Sequence, residues 1–264
     1  MASARAETGG HGVSLFGIRF LAVDLAGAVA AVIGALEAGE RGYAVTPNVD
    51  HVVRYRRDMA FRQAYESASF CFADGMPIVW ASRWLGRPLP ARVAGADLLP
   101  GLCEAAAACG RSVFLLGGDD GVAPRAAANL LARFPGLRVA GTHTPPPDFG
   151  ATAGPVEAAL AAVAQATPDI LFVGLGSPKQ ELWVHAHWGR IAATVAVCCG
   201  AAIDFAAGVR ARAPVWVQRL GFEWLWRLAH EPRRLWRRYL VDDAAFLGIL
   251  LREWWHLRGR REPL

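Results

Sequence analysis

The chain has 264 residues, of which 54% are hydrophobic, 10% aromatic and 19% charged. That is enough apolar content for one sizeable core, or one core with a small appendage, and it excludes disordered, collagen-like and disulfide-scaffold classes. The net charge of +5 is unevenly placed: residues 1–209 hold 16 basic and 17 acidic side chains, whereas residues 210–264 hold 12 arginines and six acids.

Met1 to Gly12 is polar and glycine-rich, so residues 1–14 are expected to be a flexible tail. Apolar β-type runs then alternate with helical patterns. Strands are predicted at Phe20–Val23, Tyr43–Thr46, Phe70–Ala73, Ser112–Leu116, Leu137–Ala140, Ile170–Val173 and Val195–Cys198. Helices are predicted at Asp24–Ala38, Val49–Ser67, Ala96–Ala108, Gly121–Phe134, Pro155–Ala166 and Pro178–Gly189. This alternation predicts an α/β fold over residues 15–209: a mostly parallel, Rossmann-like sheet with helices on both faces. Pro145-Pro146-Pro147 and Gly150 to Gly154 read as a loop. After Gly208 the strands stop. Pro214 to Leu257 reads as two or three helices with a break at Glu231-Pro232, a C-terminal helical appendage spanning residues 210–264.

The apolar runs Leu25–Leu36 and Ala244–Leu251 are too short to span a bilayer. Five cysteines, none in a C-x-x-C pair, fit reduced thiols in a cytoplasmic compartment.

Polar and glycine-rich residues follow the predicted strands, where open α/β sheets collect ligands. Gly117-Gly118 and Gly174-Leu175-Gly176 can bring backbone amides close to a phosphate at a helix start, or can simply serve tight turns. Neither is a dinucleotide or Walker loop. Asp74, between Phe70-Cys71-Phe72-Ala73 and Gly75, can take a proton from an attacking hydroxyl or hold a sugar hydroxyl; the alternative is an N-cap for the helix after Pro77. Thr46 and Asn48 flank Pro47 and suit hydroxyl or amide recognition, or capping of the helix that begins near Val49. Arg92 can grip a phosphate or carboxylate, or pair with Asp97. Gln180 has no evident structural task and reads as a ligand contact. Glu181 opposes the helix dipole, and Lys179 reads as a solvent-facing residue.

No D-x-D pair is present, and His185 and His187 would point to opposite sides of a helix, so no metal site is expected. No G-x-S-x-G elbow is present either. Six of the ten tryptophans, and Arg227, Arg233, Arg234, Arg237 and Arg238, lie in the last 55 residues. Diphosphate or anionic lipid headgroups would neutralise such a cluster. Nucleic acid would also do so, but the rest of the chain has no nucleic-acid motif.

Taken together, the motifs resemble those of the WecG/TagA/CpsF glycosyltransferases, glycosyltransferase family 26, across roughly residues 15–255. The carriers are Thr46-Pro47-Asn48, Ala73-Asp74-Gly75, Arg92-Val93-Ala94-Gly95, Phe114 to Gly118, Val173 to Glu181, Arg212-Ala213-Pro214 and the block from Glu223-Trp224 to Tyr239. The resemblance implies an inverting, metal-independent hexosyl or N-acetylhexosaminyl transferase with no cofactor. It would move N-acetylmannosamine, its uronic acid, glucose or a similar sugar. The donor would be a UDP-sugar, the acceptor a polyprenyl-diphosphate-linked saccharide, and the setting cell-surface or exopolysaccharide biosynthesis. By matched position it implies Asp74 as catalytic base and Thr46, Asn48, Arg92 and Gln180 around the sugars. Asp204 would lie near the uracil, and Arg227, Arg234 and Arg237 would close over the diphosphate, beside the glycine loops at Gly117, Gly118, Gly174 and Gly176. The appendage is expected to dock on anionic lipid at the inner face of the cytoplasmic membrane. Cys198-Cys199-Gly200 departs from the family's more usual valine-glycine turn before Asp204. Two other classes compete: a Rossmann-type nucleotide-binding oxidoreductase, which would want G-x-G-x-x-G at the first β-α turn, and a non-catalytic membrane-binding module. Oligomeric state, including a homo-oligomer, stays open.

Overall fold

The computed structural model describes residues 12–219, 221–230, 236 and 245–259. It opens with an antiparallel hairpin, β1 (Gly12–Leu15) and β2 (Ile18–Leu21). The two turn residues, Phe16 and Gly17, both have positive φ (59° and 86°), the geometry that two-residue hairpins favour. Phe16 is fully buried and packs edge-on against Phe246 at 5.3 Å between ring centroids, which holds a non-glycine residue in that conformation. Two expectations are corrected here. Residues 12–14 are strand and not tail, and the run predicted as the first strand of the main sheet belongs to this separate hairpin. Leu15, Ile18 and Phe20 are buried, so the hairpin has its own apolar face to cover.

The chain then alternates as expected. In order come α1 (Leu25–Glu37), β3 (Gly42–Val45), α2 (Val49–Arg57), α3 (Met59–Glu66), β4 (Phe70–Cys71), α4 (Met76–Trp84) and α5 (Gly95–Ala108). Next are β5 (Ser112–Gly117), α6 (Val122–Arg133), β6 (Arg138–His143), α7 (Ala153–Ala166), β7 (Ile170–Gly174), α8 (Lys179–His187), β8 (Val195–Cys198) and α9 (Ala202–Ala206). The helix predicted across Val49–Ser67 is two helices. Asp58 leaves the helical region (φ −118°, ψ 113°), ends α2, and caps α3 by accepting the Phe61 amide at 3.1 Å.

Strands β3 to β8 form one parallel six-stranded sheet in the order β4-β3-β8-β7-β5-β6. Alternate residues feed two cores. Tyr43, Val45, Leu171, Val173, Ala196 and Cys198 face one core, while Ala44, Ile170, Phe172, Val195 and Val197 face the other. This is the near-continuous apolar strand of a sheet covered on both faces. Asp169 ties the starts of two neighbouring strands. Its carboxylate accepts the Ser112 amide (2.7 Å), the Ser112 hydroxyl (2.8 Å) and Arg111 (3.1 Å). Burial opposes its charge, but those donors outweigh burial and hold its pKa below the usual value.

No strand follows β8 among the described residues. There are α10 (Val215–Arg219), α11 (Glu223–His230) and α12 (Ala245–Gly259). Helix α12 returns to the body: Phe246 is buried in the first core, and Ile249, Leu250, Trp254 and Leu257 pack against it. Gly221, between α10 and α11, has φ +80°, and a Cβ there would come within 2.6–2.8 Å of Met76 and Trp80. Helix α4 is therefore the seat for the start of α11. No helix among the described residues is long and apolar enough to cross a membrane.

Candidate active site

Because all six strands run the same way, the loops after them meet at one edge of the sheet. They enclose a cleft of about 860 Å³. Walls come from the loops after β3, β4, β5, β7 and β8, from Pro145-Pro146-Pro147 and Phe149 beyond β6, and from the starts of α11 and α12. A cleft of this size outside the carboxyl ends of the strands is where open α/β sheets hold small-molecule ligands.

Asp74 lines this cleft at the end of the β4 segment. Its amide donates to the Pro47 carbonyl at 2.9 Å, which joins its loop to the one after β3. The N-cap position of α4 falls on Gly75, whose φ of 128° suits glycine, and Asp74 stands one residue before it. Asn48 does both things open to it: its side chain caps α2 by accepting the His51 amide at 3.3 Å, and it lines the cleft. Thr46 is buried, lines the cleft, and donates its hydroxyl to the Cys198 carbonyl at 3.3 Å.

Arg92 reaches the cleft already paired with two carboxylates, Glu223 at 2.5 Å and Asp97 at 3.1 Å. Asp97 also takes both arms of Arg212, at 2.6 and 2.8 Å. The anion-binding and ion-pair readings of Arg92 thus resolve, in this structure, to the ion pair.

Gln180 lines the cleft, but its amide is committed. Nε2 donates to Glu181 Oε1 at 2.7 Å, and Oε1 accepts the Gly200 amide at 3.0 Å. The sequence-based view that Gln180 has no structural task is corrected: it ties the start of α8 to the loop after β8. Glu181 is fully buried, and burial pushes its carboxyl up to about 6 against the pull of the Gln180 hydrogen bond and the Arg54 charge.

Gly118, Gly174 and Gly176 line the cleft, whereas Gly117 does not. Gly117 has φ +135°, and a Cβ there would overlap the Gly174 carbonyl, so this glycine serves the close approach of β5 and β7. Asp204 lines the cleft and pairs with Arg210 at 3.0 Å. Arg227 lies on α11; Arg234 and Arg237 lie outside the described residues.

The charged or titratable cleft residues that the sequence reading did not assign to the site include His51, Asp119, Lys179, Arg210 and Glu223. Lys179, the first residue of α8, is exposed as expected, and it is exposed at the mouth of the cleft. His51 Nδ1 lies 2.7 Å from the Tyr65 hydroxyl, a partner 14 positions away that no local pattern signals.

Fold and site together define a Rossmann-like α/β protein with a ligand-sized cleft at the carboxyl edge of its sheet, rimmed by carboxylates and arginines. Residues 13–260 match the model of the glycosyl transferase WecG/TagA/CpsF family, and the chain belongs to that family. It is similar to an N-acetylglucosaminyldiphosphoundecaprenol N-acetyl-beta-D-mannosaminyltransferase of Bacillus spizizenii, 32% identical over 218 residues, 83% of this chain and 82% of the relative. A Staphylococcus aureus (strain MW2) protein of the same name is 31% identical over 195 residues, 74% of each chain. The family sets aside the oxidoreductase and the non-catalytic module.

Proposed function

We propose that the protein transfers a sugar from a UDP-sugar to a polyprenyl-diphosphate-linked saccharide, with inversion at the anomeric carbon and Asp74 as general base. The observation that supports this most is the seat of Asp74: a carboxylate on the cleft wall, with Thr46 and Asn48 on the adjoining loop. Both relatives are named for N-acetylmannosamine transfer, so that is the sugar we expect. The acceptor hydroxyl attacks the anomeric carbon from the face opposite UDP. Asp74 takes the hydroxyl proton as the new C–O bond forms. The bond to UDP breaks, and UDP leaves with its electron pair. Arginines and backbone amides at the starts of α6 and α8 meet the charge that develops on the diphosphate, with no metal required. In this reading Asp204 faces the uracil, and Arg227, Arg234 and Arg237 close over the diphosphate.

The test is incubation with a panel of UDP-sugars and a lipid-linked N-acetylglucosamine acceptor, read by mass spectrometry in the presence and absence of a chelator. Transfer from UDP-N-acetylmannosamine in both conditions is expected. No transfer from any UDP-sugar would overturn the reading, and loss on chelation would overturn its metal-free part.

The reading includes docking on the inner face of the cytoplasmic membrane. Supporting it is an exposed aromatic and aliphatic surface on α4, α10, α11 and α12. Trp84 (52% exposed) stacks on Trp254 at 5.8 Å, Trp255 is 70% exposed, and Leu251 lies one turn before it. The Arg258 guanidinium sits 4.0 Å over the Trp254 ring. Tryptophan with nearby arginine is the composition of a headgroup-level contact. Trp80 and Trp84 belong to the body and not the appendage, so the contact would extend beyond residues 210–264. Replacing both Leu251 and Trp255 by Ser is expected to weaken pelleting with anionic vesicles roughly tenfold or more, since each buried side chain contributes about 1.5–3 kcal/mol. Unchanged pelleting would remove this face from the proposal.

A further inference from the structure

An enzyme that holds a nucleoside diphosphate needs positive charge where the diphosphate lies. The described wall of the cleft instead carries four carboxylates against three cations. One of the carboxylates is out of place by sequence and by position. Glu223 comes from the first turn of α11, far along the chain from the core loops, and its Oε2 reaches Arg92 at 2.5 Å. An acid in a first helical turn favours the helix dipole, but that role needs no contact with Arg92.

The local charge count is informative. Arg92 and Arg212 share Asp97, the latter through two hydrogen bonds. Those three groups alone carry one net positive charge. Glu223 cancels it, holding Arg92 by a charge-assisted bond and lying 3.8 Å from Arg212 Nε. Asp74 acts on the Arg212 side of this group, so Glu223 matters most to Arg92: take it away, and Arg92 keeps only Asp97, which it shares with Arg212, at the rim of the cleft.

We infer that Glu223 is a resident anion that occupies Arg92 in the empty enzyme and is displaced by the diphosphate of the donor. This rests on the reading of the donor as a UDP-sugar. Donor binding then exchanges one carboxylate partner of Arg92 for phosphate oxygens and releases the start of α11 from the rim. Glu223 thereby lowers donor affinity and makes the position of α11 depend on whether the cleft is filled. Any ligand can shift that position only by its differential affinity for the two arrangements.

The test is calorimetric titration of UDP and of uridine into the full chain and its variants. Glu223→Gln keeps the side-chain shape and removes the charge. It is expected to bind UDP about tenfold more tightly, within the usual range of coupling between two sites, with uridine binding unchanged because uridine carries no phosphate. Glu223→Asp, one methylene shorter, is expected to show a smaller gain in the same direction, and it supplies the answer should Glu223→Gln fold poorly. In an Arg92→Gln background the gain should vanish. A Glu223→Gln protein that binds UDP no better than the unaltered chain, or that gains equally for uridine, overturns the inference while leaving the UDP-sugar reading intact. An unaltered chain that does not bind UDP overturns both.

Discussion

Asp74→Asn is expected to lose about 10²- to 10⁴-fold in transfer rate, the usual worth of a general base, while binding UDP as tightly as the unaltered protein. The substitution is nearly isosteric. It leaves the Asp74 amide free to keep its 2.9 Å bond to the Pro47 carbonyl, so the two loops stay joined. It also leaves the N-cap position of α4 untouched, because that position is Gly75. What changes is the ability to accept a proton. The loss should therefore fall on kcat, since a group that acts only in the transition state lowers kcat and kcat/KM together. Calorimetry with UDP and steady-state transfer assays separate the two quantities. Turnover within a fewfold of the unaltered enzyme would remove Asp74 from the role of base. A parallel change in UDP affinity would mean that Asp74 also acts on binding.

Much of the fold was legible because its period was. Most main-sheet strands are short apolar runs bounded by turn residues, and α1 and α2 start at recognisable caps, Asp24, which accepts the Gly27 amide at 2.9 Å, and Asn48, which accepts the His51 amide at 3.3 Å. The Asp58 break was missed because a single aspartate inside an apolar-periodic stretch reads equally as surface helix and as cap. The hairpin was missed because Phe16 is not a residue that signals positive φ; only its burial against Phe246 makes that conformation tenable. At the site, the strand-end rule located Thr46, Asn48, Asp74 and Gln180 in one cleft. It could not reveal partners. Glu223 is 131 positions from Arg92, and Gly200 is 20 from Gln180. Both pairings come from tertiary closure, which leaves no periodic trace in the sequence.

Gln180 and its neighbour support a second expected result of large size. Glu181→Gln should stabilise the protein at pH 7 by up to roughly 2 kcal/mol, on the scale of 1.36 kcal/mol per pKa unit. Glu181 is fully buried, and its carboxyl is pushed up to about 6 from an ordinary 4.5, with burial as the chief cause. An acid raised in the folded state binds its proton more tightly there than in the unfolded chain. Between pH 4.5 and 6 the folded form therefore holds more protons, and the contribution of Glu181 to stability falls as pH rises through that window. Above it the full penalty of a buried charge remains. A glutamine at 181 still offers an oxygen to Gln180 Nε2, so the bond that orients Gln180 toward Gly200 survives. The measurement is urea unfolding of both proteins at pH 4.5, 6 and 7.5. Near pH 4.5 their stabilities should be similar, and the variant should pull ahead as pH rises. A variant less stable than the parent at pH 7.5 would show that the surrounding hydrogen bonds favour the charged form of Glu181 more than burial opposes it. A buried charge that costs stability where a neutral amide would pack as well is most readily explained by the cleft it supports. Gln180 reaches the cleft wall between Glu181 and Gly200, and a carboxylate at 181 fixes which end of its amide faces the loop after β8. The glutamine variant keeps the bond but replaces a charged acceptor with a neutral one, so Gln180 is held toward Gly200 less tightly. A rise in stability accompanied by a fall in transfer rate is the expected joint outcome.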